Sequence, residues 1–209
     1  MSNEIFLSAS VPVPGRGEYY KTTDPLLIQS AVRALAEIVL GRRRIVWGGH
    51  PTITPMLMEA CAHLGVSYAD SVTLYQSKFF AEEFPEENAF FGNVEFTRAV
   101  SGDREASLLL MREQMLSRPS LNAAVFIGGM DGVSAEVAMF QAFHPQATQI
   151  FVGSTGGAAL EHALLTGMPA DEASSIDYFT LFHSHLGITA NEPRNFLDCN
   201  HTSAIKLGP

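Results

Sequence analysis

Short apolar runs alternate with amphipathic stretches along most of this sequence, and that alternation constrains the fold more than any other feature. The apolar runs predict strands at residues 5–7, 44–47, 72–75, 123–127 and 149–152. The amphipathic stretches predict helices at residues 26–40, 54–64, 103–116, 133–143 and 158–165. Strands that alternate with helices form a mostly parallel sheet that is covered on both faces. The sequence therefore predicts an α/β fold.

The expected layer order is that of a Rossmann-like three-layer sandwich, with the sheet between two layers of helices. The first helix has a local start signal, because Asp24 is a favourable N-cap residue and Pro25 suits the first helical turn. The 209 residues suffice for one domain, and no repeat, low-complexity tract or linker-like change in composition divides them. We expect a single domain over residues 1–209.

Composition excludes several classes of protein. Hydrophobic residues make up 46% of the chain and charged residues 17%, which is typical of a globular protein and not of a disordered one. The net charge of -9 disfavours binding to nucleic acid. The two cysteines are too few for a disulfide framework, and the start of the chain resembles neither a signal peptide nor a membrane span. We expect a cytoplasmic protein.

Glycine-rich turns follow three of the predicted strands. In an α/β fold the ligand lies beyond the carboxyl ends of the strands, where backbone N–H groups at helix starts can receive an anion. Each turn alone has a simpler explanation, because glycine is needed wherever a tight turn requires positive φ. The three turns together favour a phosphate or pyrophosphate site. The predicted binding residues are Gly48, Gly49, His50, Thr52, Gly128, Gly129, Asp131, Gly132, Ser134, Gly153, Ser154, Thr155 and Gly156.

Several familiar motifs are absent from the sequence. Without a P-loop or GxGxxG motif, and with no lysine after the glycine turns, an ATPase or an ordinary dehydrogenase is disfavoured. The signatures HExxH and GxSxG are also missing, which disfavours zinc proteases and α/β-hydrolases. His183 and His185 would share one face of a predicted edge strand, but no cysteine or carboxylate with ligand spacing lies nearby. We expect neither a metal nor a cofactor.

Two segments resemble a known superfamily. Residues 45–56, IVWGGHPTITPM, are similar to the strand, double-glycine loop and helix of the SLOG superfamily, which includes Lonely Guy phosphoribohydrolases and ligand-sensing domains of bacterial conflict systems. Residues 127–136, IGGMDGVSAE, are similar to the Lonely Guy signature PGGxGTxxE. Here Ile127 replaces the proline, Asp131 is an additional residue before the glycine, and Val133 stands where the threonine would fall. The resemblance implies a nucleotide site at the glycine turns.

The resemblance also implies two catalytic candidates. In the enzymes, an arginine on the helix before the PGG strand and the glutamate that closes the motif are tied to cleavage of an N-glycosidic bond. Arg112 resembles that arginine, and Glu136 resembles that glutamate. A glutamate beside a ribose can orient water, and an arginine can hold a phosphate or a base. Alternatively, Arg112 lies on a solvated helix face and Glu136 complements its helix dipole.

Two functions and a purely structural role for the glycine loops remain open at this stage. The first function, which the resemblance to domains of bacterial defence systems implies, is a sensor that binds ADP-ribose, an NAD-related compound or a nucleoside phosphate and signals to a separate effector protein. The second is a phosphoribohydrolase acting on nucleoside 5′-monophosphates. The altered signature favours the sensor. No membrane or nucleic-acid partner is expected.

Two further expectations concern assembly and a loop. Leu108, Met111 and Met115 give their predicted helix more apolar surface than it needs to cover the sheet. We therefore expect a homodimer or a higher homo-oligomer. The segment 79–92 is rich in phenylalanine and glutamate and is too broken for a helix. It is either a surface loop anchored in the core or a lid whose aromatic rings cover the ligand.

Overall fold

Six parallel strands form one sheet in the computed structural model, which describes residues 3–67 and 71–194. The strands are β1 (Glu4–Ser10), β2 (Arg44–Trp47), β3 (Val72–Ser77), β4 (Val94–Thr97), β5 (Leu121–Gly128) and β6 (Thr148–Val152). Their order across the sheet is β4-β3-β2-β1-β5-β6, and every neighbouring pair is parallel. The predicted α/β fold is confirmed. Residues 1–2, 68–70 and 195–209 of the predicted domain lie outside the described ranges.

Seven α-helices and four short 3₁₀ turns connect or follow the strands in the described residues. The helices are α1 (Pro25–Val39), α2 (Thr54–Leu64), α3 (Arg104–Leu116), α4 (Asp131–Phe143), α5 (Gly157–Leu165), α6 (Ala170–Ala173) and α7 (Tyr178–Leu186). The 3₁₀ turns are Tyr19–Lys21, Lys78–Glu83, Glu86–Phe90 and Gly153–Thr155. Asp24 accepts hydrogen bonds from the N–H groups of Leu26 and Leu27, so the predicted cap of α1 is present.

The sheet separates two hydrophobic clusters because side chains alternate between its faces. Ile5, Leu7 and Ala9 of β1 belong to one cluster, together with residues of α1, α2 and α7. Phe6 belongs to the other cluster, which includes residues of α3, α4 and α5. This is the three-layer arrangement that the alternation of strands and helices predicts.

Two local predictions need correction. The strand expected at His183 and His185 is wrong, because both residues lie in α7. Asp177 caps this helix by accepting from the N–H of Thr180, and Gly187 ends it with φ +61°. Strand β4 was not predicted, because two of its four residues are exposed and its apolar pattern is short.

The apolar side chains that suggested assembly lie inside the subunit. Met111 and Met115 of α3 are buried in the second hydrophobic cluster, and Leu108 packs against the same cluster. They therefore cover the sheet, and the large apolar side chain that this helix exposes is Leu109, at 50%. No helix of the described residues is both long and apolar enough to cross a membrane.

Candidate functional site

A cavity of about 590 Å³ lies at the carboxyl ends of the central strands. The strand order reverses between β1 and β5, and in open α/β sheets this reversal leaves a crevice in which ligands bind. Its walls come from the ends of β1, β2 and β3, from the turn before α2, from the 3₁₀ turn Lys78–Glu83, and from α3 and the start of α4. The volume is in the range of small-molecule sites.

Arg112, Glu136 and Ser8 form a connected group in the wall of this cavity. The Nε of Arg112 lies 3.1 Å from Oε1 of Glu136, and both side chains are about 15% exposed, at 16% and 15%. The hydroxyl of Ser8 donates to Oε2 of Glu136 at 2.6 Å. Arg112 and Glu136, predicted separately from the sequence, are thus brought together by the packing of α3 against α4, so Arg112 is not on a solvated face.

Burial raises the pKa of the Glu136 carboxyl, although the charge of Arg112 and the hydrogen bonds from Ser8 and Arg112 act in the opposite direction. A carboxyl whose pKa moves towards neutrality can accept or return a proton in a reaction. Burial thereby shifts the pKa of Glu136 in the direction that favours proton exchange.

Gly132 lies beside this group and allows it to form. A Cβ atom at Gly132 would lie 3.0 Å from Nη2 of Arg112, closer than an ordinary van der Waals contact. A side chain at residue 132 would therefore press against the guanidinium of Arg112. Only the Nε group of Arg112 is used by Glu136, which leaves its terminal N–H groups directed to this region.

Gly128 and Gly129 use their N–H groups within the protein. The N–H of Gly128 donates to Oγ1 of Thr155 at 2.8 Å, and the N–H of Gly129 donates to the carbonyl of Ser10 at 2.9 Å. Neither glycine is among the residues that line the cavity. In this conformation they shape the turn between β5 and α4 and do not offer their N–H groups to an anion.

The turn after β2 does reach the cavity. Gly48, Gly49 and His50 line it, whereas Thr52 does not. Oγ1 of Thr52 lies 2.9 Å from Nδ1 of His50 and so orients the ring. Gly49 has φ +71°, and a Cβ atom there would overlap the side-chain amide of Gln76 at 1.8 Å.

The third glycine turn lies away from the cavity, as does Ser134. Thr155 is buried and donates to the carbonyl of Val152, and Ser154 bonds the hydroxyl of Tyr178. A Cβ atom at Gly156 would lie 2.0 Å from the carbonyl oxygen of Thr22. Gly153 is packed against α6, where an added Cβ atom would lie 2.6 Å from the carbonyl oxygen of Ala173. Ser134 lies on another element and forms a hydrogen bond of 3.0 Å with His162. The turn after β6 therefore packs against neighbouring segments of the fold and not against the ligand space.

Asp131 places a carboxylate at the start of α4, within the cavity wall. The hydroxyl of Tyr19 donates to its Oδ1 at 2.7 Å. This hydrogen bond is the largest of the effects that raise the pKa of Tyr19 to about 12, so the tyrosine stays protonated and remains a donor. The start of α4 thus presents negative charge to the ligand space.

Part of the segment 79–92 covers the cavity. Phe80, Phe84 and Pro85 are among the lining residues. Phe91 is buried, with its ring centroid 6.4 Å from that of Trp47, whereas Phe90 is 59% exposed. The segment is therefore anchored in the core at one end and contributes aromatic rings to the cavity at the other.

Sequence reasoning missed several cavity residues that are scattered along the chain. Ser8 and Ser10 end β1, Gln76 ends β3, Arg16 lies in a glycine-flanked turn, and Arg104 begins α3. The two serines had a usable signal, since polar residues at the carboxyl end of a predicted parallel strand face the ligand crevice. The described residues contain no group of three or more histidines, cysteines and carboxylates that could hold a metal ion.

Comparison with known proteins identifies a family and a structural neighbour. A family model described as the SLOG cluster3 family matches residues 18–186. The X-ray structure of TM1055, a Northeast Structural Genomics Consortium target, aligns with 78% of this chain and 81% of that chain, at 16% identity and a TM-score of 0.45. No curated protein matches the chain. The matched residues include every element of the cavity wall except β1 and the turn that carries Arg16.

Proposed function

The chain belongs to the SLOG cluster3 family, and from this premise we propose that it binds a nucleotide-derived ligand in the cavity and acts as a ligand sensor. The ligand class is a nucleoside phosphate or a compound related to ADP-ribose or NAD. The observation that carries the proposal is the cavity itself, which lies at the strand reversal and combines a polar wall with an aromatic one.

The two walls suit the two halves of a nucleotide. Phe80 and Phe84 line the cavity, and a flat base can stack on aromatic rings of this kind. Ser8, Ser10 and His50 offer hydrogen-bonding groups for a sugar and its phosphate at the ends of β1 and β2.

Ligand-induced stabilisation tests the proposal. We expect AMP, ADP-ribose or NAD to raise the unfolding temperature of the wild-type protein, because a ligand that binds only the folded state stabilises it. Gly132→Val should remove this shift, since its side chain would displace Arg112 and enter the cavity. Ala138→Val is the matched control, because Ala138 is exposed on the same helix and does not line the cavity. The absence of a shift with all three compounds in the wild type would contradict the proposal.

The arrangement of Glu136 favours a second candidate function, a phosphoribohydrolase that cleaves the N-glycosidic bond of a nucleoside 5′-monophosphate. Glu136 has a raised pKa, and it is held by Arg112 and Ser8 in the wall of the cavity. Such a carboxyl can orient water and take up its proton while positive charge develops on the ribose.

Release of free base from AMP separates the two candidates. A hydrolase should produce adenine from AMP, and Glu136→Gln should lower the rate by about a hundredfold or more, because the general base is lost. Calorimetry on the same variant shows whether AMP still binds. Binding without base release above the uncatalysed background would leave only the sensor.

A further inference from the structure

The charged residues of the cavity wall differ in whether the protein itself neutralises them. Arg112 is paired with Glu136, and Arg104 is paired with Glu105. Arg104 also lies over the ring of Phe80, with its guanidinium carbon 5.7 Å from the ring centroid. Arg16 is the exception among the three arginines of the wall, because no hydrogen bond or ion pair joins its side chain to another of the described residues, and the carboxylates of Glu83 and Asp131 belong to the same wall.

Arg16 lies at the rim of the cavity on a segment that is held at both ends. Before it, the N–H of Val11 lies 3.5 Å from Oγ1 of Thr52, and after it Tyr19 bonds Asp131. Its neighbours Gly15 and Gly17 have φ +89° and +75°, so the turn around Arg16 depends on glycine. The exposed arginine is therefore presented to the cavity by an anchored turn.

His50 lies within the electrostatic reach of Arg16. Burial is the larger cause that lowers the pKa of His50, and the positive charge of Arg16 lowers it further. Both residues line the cavity, so the same wall offers an arginine charge and a ring donor or acceptor. An anion at this place would gain a charge-assisted hydrogen bond from Arg16.

The start of α4 disfavours the same anion. Asp131 contributes a carboxylate to the wall there, and a phosphate beside it would meet like charge. The N–H groups of Gly128 and Gly129, which would otherwise receive a phosphate, are already bonded to Thr155 and Ser10. A carboxylate in this position instead accepts hydrogen bonds from hydroxyl groups.

We propose that Arg16 binds the phosphate of the ligand next to the turn before α2, and that the sugar hydroxyls face Asp131 at the start of α4. This inference rests on the proposed function and adds the direction in which the nucleotide lies. It also makes Arg16 the residue that selects a phosphorylated nucleoside over the free nucleoside. Arg16 precedes the residues matched by the family model, which begin at 18.

Calorimetric titration with AMP and with adenosine tests the assignment, because the two compounds differ only in the phosphate. The wild-type protein should bind AMP at least about tenfold more tightly than adenosine, because a charge-assisted hydrogen bond in a cavity contributes an affinity difference of this size. Arg16→Ala should abolish this preference and change the affinity for adenosine by less than about twofold. Arg16 is exposed and makes no hydrogen bond or ion pair with the described residues, so the variant should fold like the wild type.

Arg104→Ala is the matched control, since it removes the same charge from the same cavity wall. Because Arg104 lies over Phe80, where the base is expected, its loss should alter both affinities alike and keep the preference for AMP. A preference for AMP that persists in Arg16→Ala, or equal binding of both compounds by the wild type, would overturn the inference while the proposed function stands. Failure of the wild type to bind either compound, together with ADP-ribose and NAD, would overturn both.

Discussion

Individual glycines around the cavity differ in what their missing side chain permits. Gly132 lets Arg112 approach α4, Gly49 leaves space for Gln76, and Gly129 lies against Val133. The glycine turns look alike in the sequence, yet each glycine answers a different steric demand. The consequence of a substitution therefore depends on the neighbour and can be predicted position by position.

Gly129→Val should destabilise the fold strongly. A Cβ atom at residue 129 would lie 2.2 Å from Cγ2 of Val133, and φ is +87°, which a β-branched residue rarely adopts. Gly15→Val is the matched control, because φ is +89° there and no atom lies within 4 Å of the added Cβ. We expect the free energy of unfolding, measured with urea, to fall by at least about 2 kcal/mol more in Gly129→Val than in Gly15→Val. Equal losses would mean that the turn relaxes to remove the overlap.

At the scale of elements, the amino end of β1 is tied to the turn between α3 and β5. Glu4 is buried, and its carboxylate accepts from Nε and Nη2 of Arg118 at 2.7 and 2.6 Å. Burial alone would raise the pKa of Glu4, but the hydrogen bonds from Arg118 and Ser120 and the charges of Arg118 and Arg44 outweigh it and lower the pKa. This contact stabilises the fold at a site remote from the cavity.

Glu4→Gln should lower the free energy of unfolding at neutral pH by about 3 kcal/mol, because the partly buried guanidinium of Arg118 loses its counter-charge. Glu105→Gln is the control and should cost less than about 1 kcal/mol, since its pair with Arg104 is solvent-exposed. A carboxyl group whose pKa is lower in the folded state than in the unfolded state stabilises the fold at pH values above its unfolded pKa. This stabilisation is lost as the pH falls through the folded-state pKa. Wild-type stability should therefore decrease from about pH 5 downwards more steeply than that of Glu4→Gln in urea unfolding at several pH values. Parallel pH profiles would contradict the assignment.

The segment 79–92 combines an anchor with a cover for the cavity. Phe91 packs into the core. Phe80, within the 3₁₀ turn Lys78–Glu83, and Phe84, directly after that turn, line the cavity. Short turns of this kind have few cooperative hydrogen bonds and open more readily than the strands beside them. We infer that the part of the segment around Phe80 and Phe84 moves as a cover over the cavity, while the end at Phe91 stays fixed in the core.

Hydrogen exchange measured by mass spectrometry tests this cover. Amides of residues 78–85 should exchange quickly in the free protein and become protected when AMP binds. Phe84→Ala should weaken AMP binding by about tenfold through loss of ring contact with the base, whereas Phe90→Ala, outside the cavity wall, should not. Slow exchange that AMP leaves unchanged would make the segment a static part of the scaffold.

At the scale of the whole molecule, assembly remains a prediction, and the side chains of Leu108, Met111 and Met115 that suggested it pack within the chain. A groove between α1 and the residues that precede and begin α7 is flanked by the exposed apolar side chains Ile176 and Phe179. Arg33 and Glu37 line the same groove and pair with each other at 2.8 Å, so we expect the apolar side chains to make the contact with a second copy related by a two-fold axis.

Light scattering should give a mass of twice 22.7 kDa for the wild-type protein at micromolar concentration. Phe179→Glu should shift the mass to that of one chain, because it places a charge in the apolar contact. Leu165→Glu is the control, since Leu165 is exposed on α5 and does not line the groove. A monomeric wild type would contradict the prediction.

Local patterns determined most of the elements of this protein. Each of the five strands predicted from apolar runs overlaps an observed one, and the helix cap at Asp24 follows from residue type, because periodicity and capping act over a few neighbouring residues. The resemblance of residues 45–56 and 127–136 to the SLOG superfamily is confirmed by the family match. The histidines at 183 and 185 show the limit of this reasoning, since a short run without clear periodicity does not distinguish a strand from a helix.

Only the tertiary structure decided which of these residues meet. Strand order directs the turn after β2 into the cavity and the turn after β6 away from it, although both are rich in glycine. Hydrogen bonds from distant segments occupy the N–H groups of Gly128 and Gly129, and helix packing joins Arg112 to Glu136 and Ser8. Such contacts depend on the arrangement of the sheet and its helices in space, which residue type and local spacing do not contain.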